Sequence, residues 1–193
     1  MRLLLIGPPG SGKGTQAMVI ADHFGISHIS SGELLRRHIT DQTAVGRAAA
    51  EYVARGDLVP DGIVMDTLRK PVETASNNGG YVLDGFPRTV AQAESAYLVA
   101  KDLGASVQVA LYLEVPHEQL IDRMLHRGHS EGRNDDTEEV MRHRIDVFDQ
   151  MTAPLLDYYA RREILVRVDG ARPVDEVSAA AIAELERVRP ALT

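Results

Sequence analysis

The run Gly7-Pro8-Pro9-Gly10-Ser11-Gly12-Lys13-Gly14-Thr15 holds the residue types that can grip a phosphate. Glycines let a loop wrap tightly enough for successive amide N–H groups to point at one anion. The run follows the apolar stretch Leu3–Ile6 and precedes a helical pattern, so the partial positive charge of a helix N-terminus adds to those amides. Lys13 can reach the terminal phosphates of a bound polyphosphate. An ordinary Gly-rich turn is the plainer reading of such a segment; the full spacing, the lysine and both flanks together argue against it. Gly14 follows Lys13 where many nucleotide hydrolases carry the Ser or Thr that ligates magnesium, and Thr15 comes one place later. That shift disfavours a GTPase-like switch.

Anion chemistry elsewhere would fall to arginine. Of 21 cationic residues 18 are Arg, and only Lys13, Lys70 and Lys101 are Lys. Codon bias is the plain explanation, and a demand for planar forks that fit phosphate is the functional one. Arg123 and Arg127 are four residues apart and project from one helix face. Arg133 and Arg144 are eleven apart, and Arg133 precedes the start of a helix that leaves its direction open. Residues 122–146 hold five Arg against seven acids, so charge alone reads the segment as a salt-bridged surface. Asp84 closes a strand, where its carboxylate can hold magnesium through water or simply shape a turn before Gly85. Gln92 carries an amide that both donates and accepts, a pair matching the edge of adenine.

These residues must be placed by elements. Leu3–Ile6, Tyr81–Leu83, Val107–Val115 and Ile164–Val168 read as buried strands, with His28–Ile29 as a short fifth. Stretches of helical period separate them: from Gly12 to near Gly25, after Ser31-Gly32, Ala44–Ala54, Asp61–Thr74, Thr89–Leu103, Pro116–Arg127 and Val174–Val188. Asp136-Thr137-Glu138-Glu139 has the spacing of a capping box, and Pro154 must break or kink the helix it opens. Alternating strands and helices imply an α/β fold with a parallel sheet covered on both faces. Met18, Met65, Met124, Met141 and Met151 are expected as core filling.

The balance of 21 cations against 28 acids gives a charge of −7, which argues against bulk nucleic-acid binding. With no cysteine, disulfides, thiolate nucleophiles and cysteine metal sites are excluded, and a reducing compartment is expected. The N-terminal apolar run is too short for a signal peptide or membrane span. The seven His are scattered along the chain and are not read as a metal site.

From Gly-Lys-Gly-Thr onward the chain resembles the adenylate kinases, a family of nucleoside monophosphate kinases. The resemblance rests on Ile29-Ser30-Ser31-Gly32-Glu33-Leu34-Leu35-Arg36, Gly56-Asp57-Leu58-Val59 and Asp84-Gly85-Phe86-Pro87-Arg88 with Gln92. Arg123, Arg127, Arg133-Asn134-Asp135-Asp136, Arg144 and Val168-Asp169-Gly170 complete it. It implies a three-layer P-loop nucleotide kinase fold with a five-stranded parallel sheet. The core would be 1–30, 60–126 and 138–193, with two mobile insertions: a monophosphate-binding one over 31–59 and a short lid over 127–137.

The implied reaction is ATP + AMP to two ADP with magnesium. Lys13, Arg88, Arg123, Arg133 and Arg144 would be catalytic. ATP would lie on Gly10, Ser11, Gly12, Lys13, Gly14, Thr15, Arg123, Arg127 and Gly170. AMP would lie on Ser31, Arg36, Asp57, Leu58, Val59, Gly85, Phe86, Pro87, Arg88, Gln92, Arg133 and Arg144, with Phe86-Pro87 as a cis bond aiming Arg88. Asp84, through water, and Thr15 are the candidate magnesium ligands, and zinc is not expected because the lid has no cysteines. A cytoplasmic monomer that binds neither nucleic acid nor membrane is implied. Ser31 and Gln92 favour AMP; a UMP/CMP kinase of the same fold, or a P-loop ATP hydrolase or ATP-sensing module, remain the alternatives.

Overall fold

The structure is a computed structural model that describes residues 1–102, 104–131 and 137–192, with the side chains of 102, 126–131, 191 and 192 outside the description. Its centre is a sheet of five parallel strands: β1 (Arg2–Ile6), β2 (Ser27–Ser30), β3 (Tyr81–Asp84), β4 (Val109–Glu114) and β5 (Leu165–Asp169), in spatial order β2-β3-β1-β4-β5. Between them run α1 (Lys13–Phe24), α2 (Ser31–Thr40), α3 (Ala44–Arg55), α4 (Asp61–Asn77), α5 (Val90–Asp102), α6 (His117–Glu131), α7 (Glu138–Val147), α8 (Pro154–Ala160) and, after β5, α9 (Val174–Val188).

Strand side chains alternate between two faces, and both are apolar. Leu3 and Leu5 of β1 pack with Ile20 of α1 and Val177 and Leu185 of α9. Leu4 and Ile6 face the other way, onto a cluster that includes Leu35 of α2, Leu68 of α4 and Leu155 of α8. Residues Val115, Leu120, Met124, Met141 and Ile145 form a third cluster that joins α6 to α7. The chain crosses from β1 over β3 to β2, and β4 joins on the opposite side of β1. Such a switch leaves a crevice at the carboxyl ends of the central strands, where ligands bind in open α/β sheets.

Element types follow the sequence reading, and several limits move. Ser30, whose hydroxyl accepts from the Glu33 amide at 3.3 Å, caps α2, so that helix begins at Ser31. Helix α4 runs three residues beyond Thr74. Helix α6 continues past Arg127 to Glu131, and the rest of the expected lid up to 136 lies outside the described residues, together with Arg133. The cap of α7 is Thr137, which accepts from Val140 N, so the reciprocal pairing expected with Glu139 falls one residue out of register. At Pro154 the helix is interrupted by a π turn over Phe148–Thr152, in which the Ala153 amide bonds back to Phe148 O at 2.8 Å, and Pro154 then opens α8. The methionines divide: Met124 and Met141 are fully buried, whereas Met18 and Met151 are 56% and 46% exposed. Met18 sits beside the phosphate loop and forms part of a cleft wall, a position that helical period alone does not separate from core.

Two buried phenols make the fold sensitive to alkali. Tyr81 donates to Ala105 O at 3.3 Å, and burial pushes its pKa from 10.0 up to about 12; burial also raises Tyr159. Because the folded-state values lie above the unfolded ones, stability is intact below pH 10 and falls as the unfolded chain ionises between pH 10 and about 12. Each such phenol contributes a slope of up to about 1.4 kcal/mol per pH unit. Urea midpoints measured across that window are expected to fall, and Tyr81→Phe is expected to make the fall shallower.

Candidate active site

The phosphate loop joins β1 to α1. Gly10 and Gly12 have φ of +82° and +89°, a region that side chains with a Cβ rarely enter. At Gly10 a Cβ would also stand 2.7 Å from Leu120 O, so that position tolerates nothing larger. The Lys13 ammonium donates to Gly7 O at 2.7 Å and Pro8 O at 2.9 Å, which holds it at the mouth of its own loop. The Ser11 hydroxyl is buried within the loop without a hydrogen-bond partner among the described residues, and Thr15 is exposed on the first turn of α1.

The second wall begins where β3 ends. Asp84 pairs in register with Leu5 of β1 and Ser30 of β2, and the residue is 9% exposed. Its Oδ1 is buried with no partner among the described residues. A lone carboxylate oxygen of this kind fits an ion that keeps much of its water and takes its other ligands from phosphate, as magnesium does. Among the described residues no three His, Asp or Glu side chains gather into a metal cage.

Gly85, at φ +82°, lies against Ser31, and a Cβ there would fall 2.5 Å from Ser31 Oγ. Phe86-Pro87 is cis. The backbone of Arg88 is then held from both sides: its N–H donates to Gln92 Oε1 at 2.7 Å, and its carbonyl accepts from Thr152 Oγ1 at 2.9 Å. The Arg88 Nε donates to Gly85 O at 2.9 Å, which turns the guanidinium along the cleft. Surrounding protein disfavours its charged form, Asp84 supports that form, and Arg144 and Arg36 oppose it. Solvent still reaches Arg88 through the open cleft, which weakens the downward push, and the guanidinium stays charged. Two further arginines close enough to oppose the charge on Arg88 suit a place that takes polyanionic charge.

Around these groups lie the remaining candidates. Arg36 rests over the first turn of α2, where Gly32 leaves room for it. Arg144 crosses Gly56 at φ +77°, and a Cβ there would meet Arg144 Cγ at 2.9 Å. Arg123 donates to Gly170 O at 2.9 Å and Ala171 O at 3.2 Å, tying α6 to the turn after β5. The Asp57 carboxylate is held by His143 at 2.7 Å and Arg55 at 2.8 Å, which lower its pKa in that order. What residues 57–59 offer the cleft is therefore their backbone and the side chains of Leu58 and Val59.

All the described residues expected at the site line one cleft of about 810 Å³: Gly10 to Thr15, Ser31, Arg36, Asp57 to Val59, Asp84 to Arg88, Gln92, Arg123, Arg144 and Gly170. The Arg127 side chain and Arg133 lie outside the described residues. The sequence reading missed Thr152 and Arg172, which also line it, and Asp61, which bonds Gln92. Arg172 pairs with Asp169 at 3.0 Å, three residues away, a spacing that marks a turn but not a site. Thr152 could not be found from spacing, because its partner is 64 residues distant and a π turn aims it.

A phosphate loop after the first strand of a five-stranded parallel sheet, faced across a cleft by converging arginines, defines a P-loop nucleotide kinase fold. The family model described as adenylate kinase matches residues 5–164. The chain is 45% identical over 186 residues to an adenylate kinase of Kocuria rhizophila, covering 96% of this chain and 99% of that one. It is 43% identical to an adenylate kinase of Nocardia farcinica, covering 97% and 100%, and 40% identical to one of Thermobifida fusca, covering 96% and 98%. The chain belongs to the adenylate kinase family.

Proposed function

We propose that the chain transfers the γ-phosphoryl group of ATP reversibly to AMP, giving two ADP. The observation that carries this reading is the meeting of the phosphate loop with Arg36, Arg88, Arg123 and Arg144 in one cleft. A phosphate oxygen of AMP is already anionic at neutral pH, so the chemistry needs no general base. That oxygen forms a bond to the γ-phosphorus as the bond to the β–γ bridging oxygen breaks, and the departing ADP carries the electron pair. What the protein supplies is alignment, neutralisation of charge and exclusion of water.

Gly10 to Thr15 cradle the ATP phosphates, with Lys13 at their terminal end, while Arg123, Arg127 and Gly170 complete the donor side. Ser31, Arg36, Asp57, Leu58, Val59, Gly85, Phe86, Pro87, Arg88 and Gln92 form the AMP side, and Gln92 reads the base. Arg88, Arg123, Arg133 and Arg144 follow charge onto the transferring group as catalytic residues, with Arg133 and Arg144 also touching AMP. Magnesium supplies further neutralisation when bound, and Asp84, through water, and Thr15 are the residues that would hold it; the partnerless Asp84 oxygen supports this. Segments 31–59 and 127–137 act as insertions that close on AMP and ATP, and reopening governs product release. The setting is a cytoplasmic monomer, a reading supported by the family and the absence of cysteine. No helix among the described residues is long and apolar enough to cross a membrane.

An acceptor panel tests the assignment. With magnesium and ATP, AMP is expected to give the highest kcat/KM, with CMP, UMP and GMP well below it and chelation abolishing transfer. Faster turnover with a pyrimidine monophosphate would overturn the choice of acceptor and leave the kinase reading in place.

A further inference from the structure

The buried Gln92 amide is caught between two partners of opposite kind. Its Oε1 accepts from the Arg88 backbone N–H at 2.7 Å, and its Nε2 donates to Asp61 Oδ1 at 2.6 Å. A backbone amide can only donate and a carboxylate can only accept, so both enforce the same orientation. Turning the amide over would set Nε2 against the Arg88 N–H and Oε1 against the Asp61 carboxylate, losing two hydrogen bonds and replacing them with repulsion. Asp61 lies on the exposed first turn of α4, and Gln92 is 3% exposed on α5.

We infer that Asp61 is a specificity-determining residue, locking the Gln92 amide so that the site accepts 6-amino purine monophosphates and rejects 6-oxo ones. This rests on the reading of Gln92 as the base reader. With one lone pair of Oε1 and one hydrogen of Nε2 committed to protein, one of each remains for a ligand. That pair matches adenine, whose 6-amino group donates and whose N1 accepts. Hypoxanthine and guanine show the reverse, a carbonyl at position 6 and a hydrogen on N1, and would require the amide to turn over. Discrimination of this sort comes from polar groups of the site that the wrong substrate leaves mismatched. Asp61 acts through Gln92 and is not itself a catalytic residue.

The test compares kcat/KM for AMP and inosine monophosphate in the intact enzyme, with Asp61→Asn, Asp61→Ala and Gln92→Ala. Asparagine keeps the shape and can either donate or accept, so it tolerates both orientations of the amide. The ratio of AMP to inosine monophosphate is expected to fall about tenfold in Asp61→Asn, the size of one hydrogen bond. Asp61→Ala is expected to lower it as well, and KM for ATP should stay within about twofold. A purely structural role for Asp61 would weaken both acceptors alike and leave their ratio unchanged, which would overturn the inference. If Gln92→Ala shifts the ratio and neither Asp61 variant does, the orientation lock is wrong and the base reading stands. If Gln92→Ala leaves the ratio unchanged, the base reading itself is wrong and the lock falls with it.

Discussion

Lys13→Met is expected to lower kcat by about 10³-fold with far less effect on folding. Methionine keeps much of the length and apolar stem of the side chain and removes the ammonium. That ammonium is held by Gly7 O and Pro8 O at the loop mouth, at the N-terminus of α1, where the terminal phosphates of ATP would lie. Donors placed in advance at a site of developing charge are worth about 10²–10³ each in turnover. The two loop bonds are worth about 1 kcal/mol apiece to stability, so the melting temperature should move by only a few degrees. Single-turnover rates at saturating nucleotide separate the two effects: a large loss of rate in a folded protein is the expected result.

Arg88→Lys is expected to cost about 10²-fold in kcat although the charge is kept. The Arg88 backbone is fixed by Gln92 on one side and Thr152 on the other, and its Nε is committed to Gly85 O. This leaves the outer fork of the guanidinium aimed into the cleft, where it can grip two phosphate oxygens at once. Lysine offers a point charge on a flexible stem and cannot reproduce both bonds. Misplacement by about 1 Å is enough for a loss of this order. KM for ATP should change by less than about threefold, since on the proposed reading the phosphate loop grips the donor side. Comparable loss in Thr152→Val, with the charge untouched, would show that the backbone clamp contributes to the aim.

Much of this site is legible in the amino-acid sequence. The phosphate loop is a local signal, because spacing, glycine content and flanking elements all lie close together along the chain. The strands are equally plain, since burial on both faces leaves continuous apolar runs such as Leu3–Ile6. The arginines are harder: charge counting alone assigns residues 122–146 to a salt-bridged surface, and Arg142 with Glu138 at 2.8 Å does behave so. Arg144, two residues on, turns instead across Gly56 into the cleft, a choice made by the helix face and not by composition. Long-range polar partners leave no trace in the sequence. Thr152 reaches Arg88 because a π turn rotates it, Asp61 meets Gln92 from a different helix, and His143 meets Asp57 across 86 residues. Period reports which face a residue occupies, but tertiary packing selects its partner. Met18 shows the same limit, apolar in type yet placed at the cleft wall.

The absence of cysteine excludes a thiolate cage at the 127–137 segment, and the acidic total of −7 coexists with a cleft lined by Lys13, Arg36, Arg88, Arg123 and Arg144. Local concentration of positive charge inside an acidic chain suits a small polyanion.

The stoichiometry of products tests the central claim most directly. Protein incubated with magnesium and ATP alone, then with AMP added to the same reaction, should release essentially no inorganic phosphate and then form two ADP for each ATP consumed. Phosphate release at a comparable rate without AMP would contradict direct transfer between two nucleotides in one cleft.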